Sequence, residues 1–315
     1  MLIYIIKRIL YMLLTLFLVS IIIFSIIHII PGDPIRLVYG VIHGTQEMID
    51  AKREILHLND PIIVQYYYWF KDIIRGNFGE SLRSGEKVFP LIITRFSRTI
   101  ILSFVSMAIA IFLALILGVL AAYKRNTFYD FFIMGFSVLG ISIPVFWSGL
   151  LAILFFSIYL GVLPSIGYVS FLVDPLDSIK HLILPAGILG FSITGYTTRI
   201  TRSQMIDVLN QDYVRTARAK GVAERAVVYK HALKNALIPI VTVIGIQFGF
   251  LMGGQVLVEV IFGWPGIGTL IVKAILNRDY TIVQGVSLII AVFLILISLV
   301  VDIIYAFLNP KIRYQ

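Results

Sequence analysis

Cysteine is absent from all 315 residues, which excludes a disulfide framework, a thiolate nucleophile and a cysteine-based metal site. Charge is scarce too: Asp, Glu, Lys and Arg together supply 14% of the chain, against 59% hydrophobic residues. A mean hydropathy of +0.96 lies well outside the soluble globular range. Signatures of catalysis are missing. There is no G-x-x-x-x-G-K-S/T phosphate loop, so ATP binding and hydrolysis are not expected of this chain, and no cofactor is. Neither H-E-x-x-H nor a G-x-S-x-G nucleophile turn occurs.

Long uncharged stretches are present instead. Crossing a bilayer core takes about 20 apolar residues. Six runs approach that length: Ile9–Ile30, Ile100–Ala122, Phe131–Leu160, Leu182–Thr198, Ala236–Val258 and Thr281–Val301. Continuous runs of this kind favour helices over the short alternating segments of a β-barrel. The first, preceded by Lys7 and Arg8, exceeds a signal-peptide core and has no small-x-small cleavage site before Pro31-Gly32-Asp33-Pro34, so it is read as an uncleaved span. The fold class expected is an all-α integral membrane protein with six transmembrane helices. The spans carry no ladder of Asp, Glu or His, as a proton relay would require.

Basic residues set the orientation. The N-terminus, the second loop (Lys124, Arg125), the fourth loop and the C-terminus (Lys311, Arg313) hold 14 Lys and Arg, against 3 in the third and fifth loops. Both termini are therefore expected in the cytoplasm. In linear order the chain reads as a tail and first span (1–30), an external loop (31–99), a membrane core (100–308) with a cytoplasmic loop at 199–235, and a C-terminal tail (309–315).

Two segments outside the bilayer are long enough to have structure of their own. In the external loop, Asp60-Pro61 opens an amphipathic helix, Ile62 to Arg75, crowded with Tyr66, Tyr67, Tyr68, Trp69 and Phe70. Such rings favour the membrane–water interface, and an interfacial anchor is preferred to a ligand cage. Gly76, Gly79 and Gly85 read as turns. The cytoplasmic loop carries eight Lys and Arg and three acids between Arg199 and Lys234. Asp212 is read there as an N-cap and Gly221 as a helix stop, which defines a helix of about two turns, Tyr213 to Lys220, too short to stand alone in water. At about 100° per residue, Val214, Ala217 and Gly221 share one stripe, with Arg215 and Arg218 beside it. That stripe is the expected contact surface for a partner. A second helix, with Glu224 near its start, leads into the fifth span, where Pro239 is expected to bend it.

Other features have blander readings. Glu259 and Asp302 are expected to be interfacial or helix-packing acids. His28 and His181 lie near membrane boundaries, with no second His or acid at ligand spacing, and no metal site is assigned. Pro144, Pro185 and Pro239 mark either breaks around a substrate path or packing kinks. The run Val258 to Leu270, VEVIFGWPGIGTL, reads as a tight external turn.

Taken together, DYVRTARAKG, HALKNALIP, VEVIFGWPGIG and NRDY resemble the permease subunits of bacterial ABC importers for dipeptides, oligopeptides and nickel. The resemblance extends over the whole chain, through IIKRI, PGDP, DPIIVQY, GNFGESLRSG and LNPKIR. It implies a type I ABC importer permease fold in the bacterial cell membrane. It also implies a second, related permease chain, two ATPase subunits that bind ATP and magnesium, and an external substrate-binding protein, with membrane lipid around them and no nucleic acid. In that family a motif E-A-A-x-x-x-G forms a cytoplasmic coupling helix that docks on the ATPase. Its Gly falls on Gly221 and its last Ala on Ala217, while Arg215 and Thr216 occupy the first two places, so the acid of the general motif is missing. The coupling residues implied are Asp212, Tyr213, Val214, Arg215, Thr216, Ala217, Arg218 and Gly221. The rival readings are a self-contained secondary transporter or channel, and a basic loop that binds anionic lipid or nucleic acid.

Overall fold

The computed structural model describes residues 2–29, 45–55 and 57–308; the Pro31-Gly32-Asp33-Pro34 segment and the tail 309–315 lie outside them. In chain order the helices are α1 (Leu2–Ile29), α2 (Gln46–Ile55), α3 (Ile62–Ile74), α4 (Val88–Tyr123), α5 (Phe128–Ser142), α6 (Val145–Ala152), α7 (Pro175–Leu209), α8 (Asp212–Ala219), α9 (Leu233–Gly254), α10 (Val256–Ile261), α11 (Ile267–Leu276) and α12 (Tyr280–Leu308). Wider π-helical turns extend α6 through Ile153–Tyr159 and precede α9 at Val227–Ala232.

Five helical stretches are long and apolar enough to cross a bilayer, and α5 with α6 makes a sixth if that pair counts as one crossing. The expected spans are thus recovered, with longer ends. Helix α4 begins at Val88, not Ile100, and α7 runs from Pro175 to Leu209, not from Leu182 to Thr198. Charge marks where a helix leaves the apolar layer, not where its hydrogen bonding stops. Arg95, Arg98, Lys180 and Arg202 accordingly all ride on continuing helices.

The three prolines behave differently. Pro185 and Pro239 lie inside α7 and α9, so the expected bend at Pro239 is no interruption of the helix. Pro144 does interrupt its span: α5 and α6 meet at 102°. The residue before a proline is pushed out of the α region, and Ile143 is extended, with φ −80° and ψ 124°.

The described residues fall into two compact units. The first comprises Met1–Thr99 and Pro265–Leu296. Its core brings Val88 and Ile92 of α4 against Ile267 and Leu270 of α11 and Ile282 and Val286 of α12. The Asp279 carboxylate, 2% exposed, accepts hydrogen bonds from Ser81 Oγ and from the Leu82 amide, and Arg83 donates to Asn277 beside it. Gly76, Gly79 and Gly85 all take positive φ, as their reading as turns requires. The aromatic row of α3 divides. Tyr66, Trp69 and Phe70 pack on Phe17 and Phe24 of α1, and Ser20 meets the Tyr66 hydroxyl at 2.8 Å, while Tyr68 stacks on His57. Three of the five rings in the row therefore form a helix–helix contact.

The second unit, Ile100–Trp264 with Ile297–Gln315, is centred on α7. Helix α5 approaches α7 so closely that a Cβ on Gly140 would lie 3.0 Å from the Phe191 carbonyl, and one on Gly195 would strike the Ser137 carbonyl. Helix α9 lies along α7, with Met205, Ala232, Ala236 and Ile240 fully buried. Trp264, expected in a tight turn, is 1% exposed and meets the edge of Tyr168 at 4.9 Å. The turn occupies residues 262–266, with Gly263 at φ +59°; both ends of the VEVIFGWPGIGTL run are helical, in α10 and α11.

Candidate functional site

The cytoplasmic loop builds its short helix from local chemistry. Helix α7 ends at Leu209, and the Gln211 carbonyl accepts the amides of Val214 and Arg215 at 3.0 and 3.2 Å, which starts α8. Gln211 thus takes the N-cap place expected for Asp212, which is the first helical residue and makes no capping bond. The backbone supplies the cap once Gln211 is extended. Asp212 still lies at the positive end of the helix, with its carboxylate 3.7 Å from Arg215 Nη1.

The other end follows the sequence. Gly221 has φ +75°, its amide bonds the Arg218 carbonyl at 2.9 Å, and the Val222 amide bonds the Ala217 carbonyl at 3.3 Å. These two bonds form a Schellman closure. A Cβ on Gly221 would meet nothing within 4 Å, so glycine is needed there for its backbone angle and not for space.

Three contacts lock α8 to its own chain. Val214, the one large aliphatic residue of the helix, is fully buried. Asn235 Nδ2 donates to the Tyr213 hydroxyl at 2.8 Å, reaching back from α9. Arg218 makes a paired contact with Glu224, Nη2 to Oε1 at 2.8 Å and Nε to Oε2 at 3.2 Å. That hydrogen-bonded carboxylate raises the Arg218 guanidinium above its ordinary value.

The expected contact stripe is therefore split, with Val214 turned inward and Gly221 left exposed. Val214 faces inward because removing it from water is the main apolar gain α8 offers. Ala217 is half-buried. The face left open carries Asp212, Arg215, Thr216, Ala219, Lys220 and Gly221. Of the eight residues implied for coupling, some anchor α8 to its own chain and others lie on its surface.

Sequence reasoning missed a second constellation. Asp130 at the start of α5 receives Arg202 of α7 through two bonds of 2.6 Å, and its carboxylate also accepts the Asn126 amide at 3.0 Å. Arg202 had counted only as one of many loop charges, and Asp130 lay one residue before the expected third span. The available signal was a lone acid within the first turn after Thr127. His181 lies one turn after Asp177, 3.7 Å from its carboxylate, so it does have an acid nearby, contrary to expectation. Its Nδ1 meets the Asp177 backbone carbonyl at 2.9 Å. His28 Nε2 is held by Gln65 at 3.0 Å, and Glu259 is fully buried in α10.

Comparison with known proteins gives this arrangement its setting. The family described as binding-protein-dependent transport system inner membrane component matches residues 114–314, and the N-terminal family of the same transport components matches residues 1–103. The chain belongs to this family of transport permeases. It is 43% identical over 315 residues to the glutathione transport system permease protein GsiC of Escherichia coli (strain K12), with 100% of both chains covered. The same identity and coverage hold for the protein of that name from Shigella dysenteriae. A solved structure, described as the crystal structure of an amino acid ABC transporter with histidines, shares the fold. Its TM-score is 0.54 at 16% identity, covering 69% of this chain and 93% of the other. The permease is thus a multi-pass, all-helical subunit of an ABC importer in the bacterial cell membrane.

Proposed function

We propose that this permease forms half of a path for short peptides, driven by ATP hydrolysed on separate ATPase subunits that grip α8. A second, related permease chain supplies the other half, and an external binding protein delivers the cargo. The observation that carries this reading is the construction of α8. Its eight residues are too few to be stable alone, yet they are closed at Gly221, anchored through Val214, Tyr213 and Arg218, and open on one face. A lever needs that combination of rigid attachment and free surface. Peptide cargo is favoured over nickel because the relatives described above are named for glutathione transport.

The test uses the complete transporter in proteoliposomes. Ala219→Trp and Thr216→Trp place bulk on the open face, away from the Val214 anchor. Each is expected to lower uptake of labelled glutathione or dipeptide at least tenfold, while the permease still inserts and ATP hydrolysis loses its dependence on cargo. Unchanged uptake in both variants would refute the coupling role of α8. Uptake of radioactive nickel but not of peptide would overturn the cargo assignment.

A further inference from the structure

The first unit holds a partly open cavity of about 150 Å³ lined by the end of α1, by α3 and by the start of α12. Five Phe, Tyr and Trp rings contribute to its wall: Phe24, Tyr68, Trp69, Phe78 and Tyr280. Asp72 is the one acid among the described lining residues, and no Lys or Arg is among them. The Asp72 side chain has no hydrogen bond or ion pair with any described residue. The two histidines of the lining are already engaged, His28 by Gln65 and His57 by the Asp60 carboxylate at 2.9 Å. Gln284 also lines the cavity. It is 8% exposed, and its side-chain amide has no partner among the described residues.

These features specify a ligand. Aromatic rings with one carboxylate attract an organic ammonium. The natural complement of a side-chain amide without a protein partner is another amide, which offers both a donor and an acceptor. The volume is about that of a cavity that holds a benzene-sized molecule, enough for one residue and not for a whole oligopeptide. We propose that this cavity binds the amino-terminal residue of a short peptide, with the ammonium at Asp72 and the aromatic wall, and the first peptide group at Gln284. The proposal rests on the reading of the cargo as a peptide, and it adds a binding site in the permease itself, outside α8.

Equilibrium binding to the assembled transporter in nanodiscs, without nucleotide or binding protein, provides the test. Alanyl-alanine is compared with N-acetyl-alanyl-alanine, which lacks the ammonium. Acetylation is expected to weaken binding at least tenfold. Asp72→Asn, at an exposed position, is expected to weaken alanyl-alanine by the same factor and to erase the difference between the two probes. Gln284→Leu is expected to weaken both probes. Equal binding of the two probes by the unaltered transporter, or a difference that survives Asp72→Asn, overturns the site. Uptake measured in parallel separates the two readings. Asp72-dependent binding without peptide uptake sinks the cargo assignment and keeps the site, whereas peptide uptake with binding indifferent to Asp72 sinks the site alone.

Discussion

Asp130 and Arg202 form a two-pronged ion pair whose acid side chain is 4% exposed and whose base is 24% exposed. Breaking a fully buried pair costs about 3–5 kcal/mol, because one charge is stranded. Arg202 retains some access to water, which reduces the expected cost of Asp130→Ala to about 2 kcal/mol. Thermal unfolding of the purified permease in detergent is expected to show a midpoint several degrees lower. The double replacement Asp130→Leu with Arg202→Met removes both charges and is expected to recover most of the loss. If the double variant is no better than the single one, the pair is not the source of the stability. Neither partner is distinguished by sequence. An acid beside a predicted span and an arginine in a basic loop each have an adequate explanation alone, and only the packing of α5 on α7 brings them together.

At the scale of elements, the contact between α5 and α7 depends on the absence of side chains. Gly195→Ala drives a methyl group into the Ser137 carbonyl, and overpacking of this kind costs about 1–3 kcal/mol. Gly187, on the same helix, has nothing within 4 Å of a Cβ, so Gly187→Ala is expected to be neutral or to stabilise by up to about 1 kcal/mol. Unfolding midpoints of the two variants measured side by side decide the matter; equal effects would show that the two helices yield to the added methyl. What sequence reveals at this scale depends on range. The stop at Gly221 was legible because a Schellman closure involves only neighbouring residues. The direction in which Val214 points was not, since it depends on the Val227–Ala232 turn and α7 behind it. The break at Pro144 and the continuity through Pro185 and Pro239 look alike in sequence, because each proline sits in an apolar run and the surrounding helices determine the outcome.

For the whole molecule, the hydropathy pattern marked the apolar helices and the basic loops assign their direction, because both depend on the bilayer more than on tertiary contacts. The lack of cysteine makes the topology directly measurable. Single replacements Lys220→Cys and Ser84→Cys, both at exposed positions, are expected to differ in labelling by a membrane-impermeant maleimide. The residue-84 thiol should react in spheroplasts, and the residue-220 thiol only after the membrane is opened; the reverse pattern would invert the assigned orientation. The grouping of Pro265–Leu296 with Met1–Thr99 had no signature in linear order. It rests on Val88 and Ile92 meeting α11 and α12, and on Asp279 holding the Ser81 turn.

That grouping has a consequence for how the protein is made. Chains fold as they are synthesised, N-terminal parts first. The first 99 residues leave the ribosome early, yet the wall that covers Val88 and Ile92, and the carboxylate that fixes Ser81, are supplied by residues 267–286. The second unit has most of its helices in the nascent chain before the first can close. Until Asp279 is translated and inserted, the early segment presents an uncovered apolar face and an unanchored turn, and the Asp279 clasp is one of the last steps of assembly.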